Sequence, residues 1–179
     1  MNGFTRYALK NLKSTGSIAP SSRFLAKKIA KNIPPSAKTL IELGAGDGVI
    51  TRHLLAAMDP DAQLTAYELS DQLLPLLQGI QHPGFSINNH SALELTNDFA
   101  ADSVDFVLSC LPIALFDEKM KRDLLQQIHQ VLSPNGLFVQ YQYLPKDRKL
   151  IKEYFPETKS KWTALNIPPS FVYIAKPAK

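Results

Sequence analysis

After residue 38 the chain alternates short β-rich apolar runs with stretches whose apolar residues recur every three or four positions. That is the pattern of β-α-β units around a parallel sheet. Strands are predicted near 39–43, 63–67, 84–88, 104–109 and 136–143. Val49–Met58 and Asp71–Gly79 read as helices. So does Asp117–Leu132, with Met120, Leu124, Ile128 and Val131 on one face and a stop at Pro134-Asn135-Gly136. A further helix is predicted near 146–154. Trp162–Leu165 and Phe171–Ile174, joined through Pro168-Pro169, read as an antiparallel pair at a sheet edge. The fold class is α/β with seven strands, mostly parallel.

The first 38 residues break this rhythm. Phe4, Tyr7, Ala8 and Leu12 fall on one side of a helical projection, with Arg6, Lys10 and Lys13 on the other. A second helix is predicted from Ser21-Ser22, good N-caps after Pro20, through Ile33. Leu25, Ala26, Ile29 and Ile33 share its apolar face, away from Lys27, Lys28 and Lys31. The expected division is a basic helical extension over 1–38, packed on or capping the core, and one α/β unit over 39–179. The second helix is expected to pack on the sheet. The first is the better candidate for lying on a membrane or covering a site.

A chain of 179 residues, 45% hydrophobic, has enough apolar side chain for a single core. Neither a cleaved leader nor a membrane span is expected, since the most apolar stretch, Val104–Phe116, is interrupted by Asp105 and Pro112. A lone cysteine, Cys110, excludes an internal disulfide and fits a reducing compartment, so a cytoplasmic protein is expected. The net charge of +4 is unevenly spread: residues 1–38 carry +8, residues 39–145 carry −9 and residues 146–179 carry +5. Basic ends around an acidic middle suggest a face for an anionic partner. His53, His82, His90 and His129 lack metal-ligand spacing, and no metal is expected.

Leu40-Ile41-Glu42-Leu43-Gly44-Ala45-Gly46-Asp47-Gly48 sets a glycine-rich turn between a hydrophobic strand and a helix. Glycine lets the backbone approach a ligand closely, and the helix start offers unpaired N–H groups. Phosphate binding is one use of such a turn. The dinucleotide fingerprint, however, requires glycine three residues after Gly46, where Val49 stands. Glu42 at the strand end suits a cationic ligand better than a pyrophosphate, and S-adenosylmethionine is cationic at its sulfonium and its amino group. Glu68, twenty residues past Gly48, ends the second strand where an acidic side chain takes ribose hydroxyls.

These residues resemble the class I S-adenosylmethionine-dependent methyltransferases over 39–145, and more narrowly the bacterial phospholipid N-methyltransferases, themselves similar to the ribosomal RNA adenine dimethylases. Gly16-Ser17-Ile18-Ala19-Pro20-Ser21-Ser22 with Leu25-Ala26, Glu42 to Thr51, Ser109-Cys110-Leu111-Pro112, Phe138 to Tyr143 and Asn166 to Tyr173 carry the narrower resemblance. It implies a Rossmann-like sheet with helices on both faces. It also implies S-adenosylmethionine as cofactor, held by Glu42, Gly44, Ala45, Gly46, Gly48, Glu68, Leu69, Ser91, Ala92 and Ser109. One element departs from the family. Where the third strand is followed by a Gly-Asp-Ala-like run whose carboxylate holds the adenine amino group, this chain reads Asn89-His90-Ser91-Ala92.

Ser109-Cys110-Leu111-Pro112 stands where amine methyltransferases of this class present the acceptor nitrogen. In-line displacement needs that amine neutral, close and aligned, so positioning supplies much of the rate. Tyr141 and Tyr143 share one face of the fifth strand. With Tyr7 they are suited to bound a methylated ammonium, because ring faces attract cations. Tyr141, Leu111 and Pro112 are therefore expected in catalysis, and Tyr7, Ser21, Ser22 and Tyr143 in holding the acceptor.

The resemblance implies methylation of the ethanolamine headgroup of phosphatidylethanolamine and its partly methylated products. The partner would be an anionic phospholipid membrane surface, with the protein bound peripherally to its inner face. An RNA adenine N-methyltransferase is the alternative, using the basic surface on phosphates; against it, Ile113 and not a stacking aromatic follows Pro112. A non-catalytic S-adenosylmethionine-binding module at the membrane surface is the third reading, motivated by the altered Asn89–Ala92 element.

Overall fold

A seven-stranded sheet runs through the computed structural model, which describes residues 23–142, 146–163 and 170–178. In chain order the elements are α1 (Arg23–Ala30), β1 (Thr39–Leu43), α2 (Val49–Leu55), β2 (Gln63–Tyr67), α3 (Leu74–Gln78) and β3 (Phe85–Asn88). A 3-10 turn (Ala92–Glu94) leads to α4 (Leu95–Asp98) and β4 (Val104–Ser109), and a second (Ile113–Leu115) to α5 (Glu118–Val131) and β5 (Leu132–Gln142). The chain continues through α6 (Arg148–Tyr154), β6 (Glu157–Thr163) and β7 (Ser170–Lys176). The strand order is β3-β2-β1-β4-β5-β7-β6. The first five are mutually parallel, while β7 runs antiparallel to both β5 and β6.

This order reverses direction between β1 and β4, and a crevice opens above the carboxyl ends of strands at such a point. Both faces of the sheet are covered, which is why the central strands read as nearly continuous apolar runs. Leu40, Phe106 and Val139 bury one face under Leu25 and Ile29 of α1 and Ile50 and Leu54 of α2. Ile41, Val107 and Phe138 bury the other under Leu124 and Ile128 of α5 and Ile151 of α6. The apolar stripe predicted for the second helix thus packs as expected. That helix ends at Ala30, three residues early, where the Asn32 side chain donates to the carbonyls of Lys28 (3.0 Å) and Ile29 (2.9 Å).

Other ends also moved for local reasons. Asp117 caps α5, its carboxylate accepting from Met120 N at 2.8 Å, as Asp does at an N-terminus. The helix passes at Leu132 straight into β5, and Ser133–Gly136 bulges between the pairs Val104–Leu132 and Phe106–Leu137. Pro75 in the first turn starts α3 at Leu74, later than Asp71. The sixth strand begins at Glu157 rather than Trp162, because its Thr-Lys-Ser-Lys run is polar throughout, with no apolar alternation to announce an edge strand. Leu165 and Pro168-Pro169 lie outside the described residues, as does the helix predicted over Phe4–Lys13.

Phe155 is fully buried after α6, with its ring 5.0 Å from that of Phe138 between centroids. Phe155→Ala is expected to cost about 3–5 kcal/mol in urea denaturation. Trp162→Ala, at a side chain 59% exposed, should stay within about 0.5 kcal/mol of wild type.

Candidate active site

From the end of β1 the chain turns through Gly44–Gly48 into α2, with left-handed backbone at Gly44 (φ 77°), Gly46 (φ 60°) and Gly48 (φ 78°). Two of these matter in different ways. A Cβ on Gly44 would stand 2.9 Å from Leu111 Cδ2, which could yield, and the left-handed backbone is what favours glycine where this loop lies against the turn after β4. A Cβ on Gly46 would meet nothing within 4 Å: this backbone faces open space in the crevice. The Tyr67 carbonyl accepts from Gly44 N (2.9 Å) and Ala45 N (3.1 Å). Gly46 N donates to Glu68 Oε2 at 2.9 Å, and Ser70 N to Oε1 at 2.8 Å. Glu68 therefore clamps the first loop to the second, and each of its oxygens keeps a lone pair for a further donor. Leu69, half-buried, follows it.

Glu42 is wholly buried below the loop. Thr51 Oγ1 donates to its Oε2 at 2.6 Å, while Oε1 has no partner. Burial pushes its pKa up to about 8, with the charges of Glu68 and Asp47 adding to the effect against the Thr51 bond. Burial, and then Glu42, also raise the Cys110 thiol. Ser109 Oγ and Gln140 Oε1, on residues paired across β4 and β5, are likewise buried without partners. An unpaired buried group costs about 1–3 kcal/mol. By strand alternation Glu42 lies on the α2 face of the sheet and Ser109 and Gln140 on the α5 face, so these atoms fall on both sides of the strand ends.

Ser91 follows the end of β3. Its hydroxyl accepts from Leu93 N at 3.2 Å, capping the 3-10 turn, and Ala92 packs half-buried against the α5-side core. The carboxylate in this corner is Asp98, from α4. It accepts from Tyr67 OH (2.7 Å) and Asn88 Nδ2 (2.9 Å) and faces His90 Nδ1 at 3.4 Å. Burial, together with this bond to Asp98, raises the Tyr67 hydroxyl pKa. Ten residues separate Asp98 from Asn88, so no local motif betrays it.

After β4, Pro112 (φ −78°, ψ 67°) closes an inverse γ-turn. The Leu111 carbonyl accepts from Ile113 N (2.8 Å) and from Gln140 Nε2 (2.9 Å), so both its lone pairs are used and the turn is held rigidly to β5. Gln140 was not singled out from sequence, where it reads as a polar residue in an apolar strand. Tyr141 is 5% exposed and packs with the α1-side cluster, whereas Leu111 packs on the α5 side. Tyr7, Ser21, Ser22 and Tyr143 lie outside the described residues. Among the described residues no group of three or more potential ligands could hold a metal ion.

A family described as methyltransferase domain matches residues 40–136, which spans the glycine loop, Glu68 and the Leu111–Pro112 turn. The chain belongs to this family. It is an S-adenosylmethionine-dependent methyltransferase. Over 177 residues it is 29% identical to an ornithine lipid N-methyltransferase of Singulisphaera acidiphila, covering 95% of this chain and 92% of that protein. Crystal structures of S-adenosylmethionine-dependent methyltransferases from Archaeoglobus fulgidus and Aquifex aeolicus share the fold, each with TM-score 0.68 and 12% identity. The first covers 87% of this chain and 94% of its own, the second 94% and 98%. The residues present fit the cofactor: carboxylates for a cation and for hydroxyl groups, and an open glycine backbone.

Two predictions follow from the loop and from Glu42. Gly46→Val should keep the fold at a cost of about 1–2 kcal/mol for the left-handed backbone yet abolish S-adenosylmethionine binding in calorimetry, since only the ligand's space is filled. Retained affinity would place the cofactor elsewhere. Glu42 is protonated up to about pH 8 in the folded protein but only to about 4.5 in the unfolded chain. Its stabilising proton is fully present below the lower value and lost as pH rises through the higher one. Glu42→Gln, which cannot ionise, should therefore gain melting temperature relative to wild type between pH 5 and pH 8.5. Parallel profiles would rule out this titration.

Proposed function

We propose that the chain methylates the amine of a lipid headgroup, the ethanolamine of phosphatidylethanolamine and its partly methylated products, at an anionic membrane surface. The observation that carries this is the likeness, across nearly the whole of both chains, to an enzyme that methylates nitrogen on a lipid. No helix among the described residues is long and apolar enough to cross a membrane. Leu115, in the turn after β4, and Trp162 near the end of β6 are nevertheless 57% and 59% exposed. Both belong to the crevice end of the sheet, since Trp162 lies level with Gln142 through Phe171. Apolar tips at the mouth of a site suit an interface, where Trp in particular settles.

When bound, S-adenosylmethionine supplies an electrophilic methyl group on a sulfonium. The protein's part is positional. Glu68 places negative charge beside the loop, and Glu42, which holds its proton to about pH 8 in the empty fold, gains charge when a cation lies near it. Gly44 lets the first loop touch Leu111, and Gln140 fixes the Leu111–Pro112 turn as the wall against which a neutral amine is aligned. Tyr141 follows Gln140 on β5 but faces the α1 side of the sheet, opposite Leu111, so its ring would favour the cation that forms on nitrogen only from across the strand end.

Labelled cofactor offered to phosphatidylethanolamine vesicles, a soluble ethanolamine and total RNA should pass its methyl group to the lipid; label in RNA or in the soluble amine alone would overturn the reading. Gln140→Leu frees the turn, and kcat should drop tenfold or more while cofactor affinity stays put. Tyr141→Ala should slow transfer with donor binding intact, and Tyr141→Phe less so. Wild-type turnover in both would return Tyr141 to the core.

A further inference from the structure

On the opposite side of the sheet from α5 and α6, a cleft of about 220 Å³ separates the second half of α1 from the outer hairpin β6–β7. Its floor is apolar, formed by Ile29, Val172 and Ile174; its rim carries Lys28, Lys31 and Lys161. Lys161 pairs across the hairpin with Val172 and Lys159 with Ile174, which puts a fourth ammonium on the same face. No acid lines the cleft, and among the described residues none of these four lysines stands within salt-bridge distance of a carboxylate. Lysine on an exposed edge strand is a common guard against strand addition, which accounts for Lys159 and Lys161. It does not account for Lys28, in α1, and Lys31, just past its end, which border the same cleft.

We propose that this cleft is the docking face for an anionic phospholipid membrane, with its lysines on the phosphate groups and its floor against the first acyl carbons. A cationic rim over low-dielectric walls concentrates positive potential, and the apolar floor calls for a partner that is charged outside and oily beneath. Single-stranded nucleic acid would instead want aromatic faces for its bases, and the cleft has none. The register carries the link to catalysis. Lys161 and Val172 are level with Tyr141, one residue beyond Gln140, so docking here sets the crevice end of the sheet beside the headgroups. The inference rests on the lipid-methyltransferase reading, but its test does not depend on turnover.

The full chain should sediment with phosphatidylcholine vesicles that contain phosphatidylglycerol and not with pure phosphatidylcholine. Replacing Lys28, Lys31 and Lys161 together by Gln should weaken that affinity roughly a hundredfold, at about fivefold per lysine. Lys146→Gln, Lys149→Gln and Lys152→Gln, the same change in charge around α6, should cost only a few-fold. Both triple variants should bind S-adenosylmethionine as wild type does and should methylate short-chain, monomeric phosphatidylethanolamine at the wild-type rate. Equal losses in the two triples would show a diffuse field and overturn the cleft, as would undiminished vesicle binding by the first. So would a first triple that loses RNA affinity while keeping the vesicle. If the wild type docks as described yet monomeric lipid gains no methyl group, the acceptor assignment fails and the docking face stands.

Discussion

Three successive backbone N–H groups, those of Gly44, Ala45 and Gly46, end on two acceptors at the tip of β2, the Tyr67 carbonyl and the Glu68 carboxylate. This clamp sets the course of the first loop, and the rest of the site is built outward from it. Held there, the loop turns left-handed at Gly44 (φ 77°), a conformation that favours glycine, and lies against Leu111. Leu111 in turn hangs by its carbonyl from Gln140. A continuous set of contacts thus runs from β2 across β1 and β4 to β5. A local fault at Gly44 would be felt at the Pro112 turn.

The electrostatics of the crevice work against the empty fold. Glu42 is buried deeply enough to hold its proton to about pH 8, and Ser109 and Gln140 keep polar atoms out of water without partners. Such arrangements lower stability, and they persist where surrounding structure over-determines them and a ligand makes use of them. A cation near Glu42 favours its ionised form, so the burial that destabilises the carboxylate also sharpens its preference for a positively charged guest. Asp98 plays the complementary part at the third strand. It gathers Tyr67, Asn88 and His90 into one hydrogen-bonded corner at the end of the third strand.

By itself the sequence determined the five parallel strands, an antiparallel edge after them and the cofactor loop. Each of these rests on local order: apolar runs buried on both faces, a helical stripe such as Leu124-Ile128-Val131, glycines where φ is positive, an acid at a strand tip. Elements whose identity is set by a neighbour were illegible. β6 shows no alternation because β7 alone defines it, and α5 runs into β5 at Leu132 because a bulge opposite β4, not the Pro-Asn-Gly signal, places the boundary. Which residues complete the site was also a tertiary decision. Gln140 meets Leu111 across 29 positions, Asp98 meets Tyr67 across 31, and Lys161 reaches the cleft of Lys28 only when the last hairpin folds back beside α1. A hydrogen bond or a shared potential depends on distance in space, and the spacing of residues along a chain carries no trace of it.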